Sequence, residues 1–255
     1  MELNLTRTRS QLLQLNNKLK QLCGGVLSIK LYSGNELTRQ LLNMTYDKTG
    51  KIDFVICLNY NNICISSISC KIGRDNSLEF SSKTQEIYEG NKYNLLLRSA
   101  LILLSKYVIY NEERINSIIS RAVNPASIYI MVKYFHADND KLTEYMDENG
   151  LTNETLRYDD AKDFYDNIDA YDLDEEEDEE AMAARLKNDK NFGEPVNLII
   201  DLTNNMYIDL ATNMFNNIAI KCPSRGGYKN KQTKKRRGKT KRSKKRYNKK
   251  KIEMI

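Results

Sequence analysis

Histidine is almost missing from this chain. His136 is the only one in 255 residues, and the five cysteines (Cys23, Cys57, Cys64, Cys70 and Cys222) include no CxxC pair. Together these shortages argue against a zinc cluster and against the disulfide framework of a small secreted domain. Cys57 and Cys64 instead sit in apolar, strand-like runs, where a cysteine behaves as a small buried hydrophobe. Tryptophan is absent and proline occurs three times. No apolar stretch reaches the roughly 20 residues that span a bilayer; the strongest, around residue 100, is SALILLS. The N-terminus lacks the apolar core of a signal peptide, since Arg7 and Arg9 lead into a polar helix. The expectation is a reduced, intracellular protein with no metal and no membrane partner, in the cytoplasm or the nucleus.

What the chain does contain is charge, unevenly placed. The formal net charge of +6 combines a tail from Pro223 to Ile255 at +15 with a remainder, residues 1–222, at −9. Thirteen acids lie between Asp159 and Glu180, where Lys162 is the one cation. Such a tail cannot bury a core and binds polyanions by releasing their counterions. DNA or RNA, without sequence specificity, is the partner it favours. Localisation to the nucleus and docking on the chain's own acidic block compete with that reading.

Periodicity divides the rest. Leu12, Leu15, Leu19 and Leu22 recur at helical spacing over residues 6–23, and Gly24-Gly25 ends that helix. A strand over 26–32 and a short helix over 36–43 follow. Residues 52–60 (IDFVICLNY) and 63–72 (ICISSISCKI), joined by Asn61-Asn62, predict a hairpin, and residues 78–87 a third antiparallel strand. A helix from about Asn91 carries Leu96, Ala100, Leu103, Leu104 and Tyr107 on one face. Residues 114–123 then read as a strand, and Asn124-Pro125 opens a helix over 126–135. That order predicts an α+β fold with a mixed sheet. The domain plan is an N-terminal helix (1–25), a core (26–141), an acidic flexible insertion (142–193), closing elements of the core (194–222) and a disordered basic tail (223–255).

The segment YEGNKYNLLLRSALILLSK, Tyr88 to Lys106, carries the candidate chemistry. A polar loop opens directly into the most apolar helix, which leaves free amides of residues 91–95 at a positive helix terminus, with Lys92 adding a full charge. Such a terminus holds a pyrophosphate or similar anion. The alternative is plain punctuation, with Gly90 relaxing a turn and Asn91 capping the helix.

A three-strand meander, a loop and helix (TQEIYEGNKYNLLLRSALILL), then a strand and an Asn-initiated helix (SIISRAVNPASIYIMVKYF) resembles the GNAT N-acetyltransferase superfamily across about residues 26–136. Glu89 stands at that family's Gln/Arg loop position, Lys92 at its first Gly and Asn94 at its Gly/Ala position. The resemblance implies a mixed, mostly antiparallel sheet flanked by helices, and acetyl-CoA as cofactor. The pantetheine arm would pair with backbone at Ser82, Lys83 and Thr84. The pyrophosphate would lie on Gly90, Asn91, Lys92, Tyr93, Asn94 and Leu95, with Asn124 opening the next helix. It also implies acyl transfer to an unidentified amine, or a degenerate relative that only binds the thioester. A non-enzymatic module that engages nucleic acid through the tail is the alternative. Met131 occupies the place of the family's usual acid, and Tyr129 and Tyr134 are read as projecting on other faces. His136, Glu79 and Glu86 are weighed as bases without assignment, so the catalytic group stays unknown. The Asn-rich, Ile-, Lys- and Tyr-rich composition, with such a tail, looks like that of proteins from large DNA viruses of protists.

Overall fold

The computed structural model describes residues 3–45, 52–122, 124–168 and 196–223. Helix α1 (Thr6–Cys23) ends where Gly24 turns left-handed at φ 60°. Strand β2 (Leu27–Ser33) and the short helix α2 (Arg39–Leu42) follow, with residues 34–36 forming a 3-10 turn. Next come β3 (Phe54–Tyr60), β4 (Ile63–Ile72) and β5 (Ser77–Thr84). Asn61 and Asn62, both at positive φ, make the tight turn between β3 and β4, the mirror-type hairpin turn that asparagine tolerates. Helix α3 (Tyr93–Ser105) leads to β8 (Ser117–Ala122) and α4 (Pro125–Phe135). Between α3 and β8, β6 (Ile109–Tyr110) and β7 (Glu113–Arg114) pair with β1 (Leu3–Asn4) in a minor sheet.

The main sheet has the order β2-β3-β4-β5-β8-β9, where β9 is Val196–Asp201. Every neighbouring pair is antiparallel except β5 and β8. Those two are joined through α3, and a strand–helix–strand crossover forces a parallel pair. The chain is therefore α+β, with a mixed, mostly antiparallel sheet flanked by helices. The closing helix α7 (Asn205–Asn217) packs on α3 and α4.

Helix α3 is buried almost all round, from Tyr93 through Ile102, because the sheet, α1 and α7 each cover part of it. Strand β3 shows the same double burial. Phe54, Ile56 and Leu58 face the main core, while Val55 and Cys57 join Leu41 and Cys64 in a small cluster on the other side. This explains its unbroken apolar sequence.

Two expectations need correction. The acidic insertion does not begin at 142. Helices α5 (Asp140–Glu148) and α6 (Tyr158–Asn167) are ordered, with Leu142, Tyr145, Leu156 and Phe164 buried. Amphipathic spacing is present there but is masked by the surrounding acids. Residues 169–193 of that expected insertion lie outside the described residues, as does the tail from 224; the chain divides after Cys222. The cysteines are also not all free. Cys23 and Cys222 form a disulfide with Cα atoms 5.5 Å apart, while Cys57, Cys64 and Cys70 are free and buried. The bond closes the segment after α7 onto the end of α1, a pairing that no local spacing announces. Among the described residues no helix is long and apolar enough to cross a membrane.

Candidate functional site

Strands β5 and β8 hydrogen-bond in register only from Ser77–Ser117 to Phe80–Ser120. Both strands continue, to Thr84 and Ala122, without further pairing between them. Into that gap point the first turns of α3 and α4. The result is a pocket of about 430 Å³, walled by Ser82 and Thr84 of β5, by Tyr93, Asn94, Leu95 and Arg98 of α3, and by Ser127, Tyr129 and Tyr134 of α4.

The start of α3 explains one wall. Lys92 precedes the helix at φ 61°, left-handed, and supplies no side-chain cap. The first helical amide bond runs from Leu96 N–H to the Lys92 carbonyl. The amides of Asn94 and Leu95 therefore have no carbonyl one turn back, and they carry the positive end of the helix dipole. Helix α4 starts differently, with Asn124 Oδ1 accepting from Ser127 N–H at 2.9 Å.

Of the residues expected at this site, Ser82, Thr84, Gly90, Lys92, Tyr93, Asn94, Leu95 and Asn124 line the pocket. Lys83 and Asn91 do not. Alternation along β5 turns the Lys83 side chain to the opposite face, where Nζ donates to the Asn43 carbonyl at 3.0 Å. Asn91 lies in the turn before the helix, and its Nδ2 donates to the Tyr88 carbonyl at 3.0 Å. The helix begins at Tyr93, two residues later than the sequence pattern placed it.

The weighed catalytic candidates separate as well. Met131 is fully buried in the core. His136 ends α4 as its left-handed cap at φ 50°. Glu79 and Glu86 are outside the pocket, whereas Glu89 is on its exposed rim. Tyr129 and Tyr134, read from the sequence as facing elsewhere, both line the wall, with ring centroids 6.1 Å apart. Burial, reinforced by Tyr129, pushes the Tyr134 phenol above the usual tyrosine range.

Sequence reading missed Arg98. It is 2% exposed, in a helix whose later turns are mostly leucine, with Ile102, Ala100 and serines. Its Nε donates to Asn94 Oδ1 at 2.8 Å, Nη1 to the Ser127 carbonyl at 3.3 Å, and Nη2 to Ser127 Oγ at 3.0 Å and Ser82 Oγ at 3.1 Å. The Phe80 ring lies 5.6 Å from its guanidinium carbon. Desolvation alone pushes the guanidinium down to about 10, so it remains charged at neutral pH. Every one of those partners is neutral. A lone arginine inside an apolar helix is the signal that could have found it, because a buried charge without a counterion is rare.

No family model matches the sequence, and no curated protein matches it. Among solved structures, the chain is similar to an N-acetyltransferase from Staphylococcus aureus Mu50, at 14% identity and a TM-score of 0.35, over 45% of this chain and 84% of that one. It is also similar to an IAA acetyltransferase from Bacillus cereus ATCC 14579, at 13% identity and a TM-score of 0.34, over 42% and 74%. A cAMP-binding acyltransferase from Mycobacterium smegmatis matches at 14% identity and a TM-score of 0.30, over 51% of this chain and 49% of that one.

Proposed function

We propose that the gap between β5 and β8 is the acyl-CoA site of a GNAT-type N-acyltransferase. The observation that carries this reading is the parallel ladder that stops at Phe80 and Ser120 while both strands run on. It leaves backbone at Ser82 and Thr84 available on the β8 side, beside the uncapped start of α3.

These residues fit the cofactor. The strand edge can pair with the amides of a pantetheine arm, and the helix amides of Asn94 and Leu95 with Lys92 offer donors and charge to a pyrophosphate. When bound, acetyl-CoA supplies an activated acyl thioester for an incoming amine. The chain's own part is to orient the thioester along β5 and to keep a proton ready at the α4 wall. The raised Tyr134 phenol stays protonated at neutral pH, as a proton donor to a departing thiolate must. Glu89 on the rim is the carboxylate of the wall, placed where an amine enters.

Calorimetric titration of the full chain with acetyl-CoA and with coenzyme A tests this. Micromolar binding is expected, and Ala126→Trp, which fills the pocket from an exposed position, should abolish it. A folded protein that takes up neither ligand would rule the cofactor reading out.

A second reading rests on the tail, whose sixteen Lys/Arg face one acid. Here the tail binds DNA or RNA without sequence preference. Affinity for a duplex should fall about a thousandfold or more between 50 and 200 mM salt, as for a protein with several phosphate contacts. It should vanish on truncation after Cys222. Unchanged binding by the truncated protein would remove the tail from the account.

A further inference from the structure

Most of the unspent hydrogen-bonding capacity on the pocket floor is donor capacity. Ser82 Oγ accepts from Arg98 Nη2 at 3.1 Å and from Asn94 Nδ2 at 3.0 Å, which occupies both of its lone pairs. Its own proton must point elsewhere, and among the described residues it meets no acceptor. Ser127 Oγ likewise accepts from Arg98 at 3.0 Å, and its proton is equally unspent. One Nη1–H of Arg98 adds a third free donor. All three residues line the same pocket. Behind them sits a full positive charge that is 2% exposed and has no carboxylate within ion-pair distance among the described residues.

A buried ion normally finds its opposite charge within the protein, because desolvation costs more than neutral hydrogen bonds return. Glu89 stands on the exposed rim and makes no ion pair with Arg98. The partner that best completes this floor is therefore an acceptor with negative charge.

We propose that the floor formed by Arg98, Ser82 and Ser127 receives a ligand carboxylate, so that the pocket selects a carboxylate-bearing substrate over its neutral isostere. This rests on the acyl-CoA reading and names its substrate class. A carboxylate presents two oxygens to a few convergent donors, beside a guanidinium that is itself buried. A phosphate, more strongly hydrated, belongs at the open start of α3. A neutral acyl chain would leave the same hydroxyl protons and the guanidinium unsatisfied. The carboxylate has two sources with the same chemistry, the end of a dicarboxylic acyl chain or the acid group of an amino-acid acceptor.

The experiment titrates the full chain, wild type and Ser127→Ala, with succinyl-CoA, butyryl-CoA, coenzyme A and free succinate, and then titrates the coenzyme A complex with glutamate. Succinyl-CoA should bind about tenfold to a hundredfold more tightly than butyryl-CoA, as for a hydrogen bond to a charged group. Ser127→Ala should collapse most of that ratio by weakening succinyl-CoA far more than butyryl-CoA. If the thioesters bind alike but glutamate binds the complex and loses affinity in Ser127→Ala, the carboxylate comes from the acceptor and the proposal stands. If the thioesters bind alike and glutamate does not bind, the carboxylate site is refuted and the acyl-CoA reading survives. If no thioester binds but free succinate does, through Ser127, the acyl-CoA reading fails and the carboxylate site remains.

Discussion

Replacing Asn94 by Asp is expected to stabilise the protein and to blunt its pocket at the same time. Asn94 Oδ1 already accepts from Arg98 Nε at 2.8 Å, so the isosteric carboxylate supplies the buried cation with the counter-charge it lacks. The bond from Asn94 Nδ2 to Ser82 Oγ is lost, but the Ser82 hydroxyl can turn and donate to the new oxygen. Asn94 is the second residue of α3, where a negative charge is also favoured by the helix dipole. The counter-charge and the helix dipole act with the same sign, and the exchanged Ser82 bond is close to neutral. Charge-assisted hydrogen bonds contribute about 1.5–3 kcal/mol, which for a folded unit of this size raises the melting midpoint by roughly 3–10 °C. A carboxylate ligand should meanwhile lose tenfold or more in affinity, because its receptor is neutralised. An unchanged midpoint with unchanged ligand affinity would show that Arg98 was already compensated.

The same variant carries a pH signature. In the folded wild type burial holds Arg98 at about 10, below the ordinary guanidinium range. The unfolded chain therefore binds the extra proton more tightly. This burial cost is fully present below about 10 and is relieved as pH rises from there toward the ordinary guanidinium range. Asn94→Asp should flatten this rise, which denaturant titrations at graded alkaline pH would read.

The second large effect concerns Cys23 and Cys222. Their bond spans 199 residues and fixes the end of the described chain against α1. In the chain-entropy account a loop of that length is worth about 5 kcal/mol through the unfolded state. Thiol reductant, or Cys222→Ser, should then lower the melting midpoint by roughly 10–20 °C. The loss should reach the pocket, because Tyr93 Oη donates to the carbonyl of Lys221, the neighbour of Cys222, at 2.6 Å. Alkylation and mass measurement of the unreduced protein should count three free thiols. Five would remove the bond and the expected shift together.

Local pattern was enough for much of the architecture. Ile63–Ile72 was bounded to the residue, because paired asparagines at positive φ and an apolar run leave few alternatives to a hairpin. Asn124 before Pro125 announced the start of α4, since the cap and the proline both act within one turn. The polar loop entering α3 located the pocket for the same reason: a helix terminus is a local feature. Only the tertiary structure could decide the rest. Whether Arg98 meets an acid or two serines depends on β5 and α4, which lie sixteen and twenty-nine residues away. The pairing of Cys23 with Cys222, the turn of Tyr129 and Tyr134 into the wall, and the order of α5 and α6 likewise rest on distant neighbours. Sequence periodicity sets which face of an element is apolar. Desolvation and charge balance at a site are set by what the fold brings against that face.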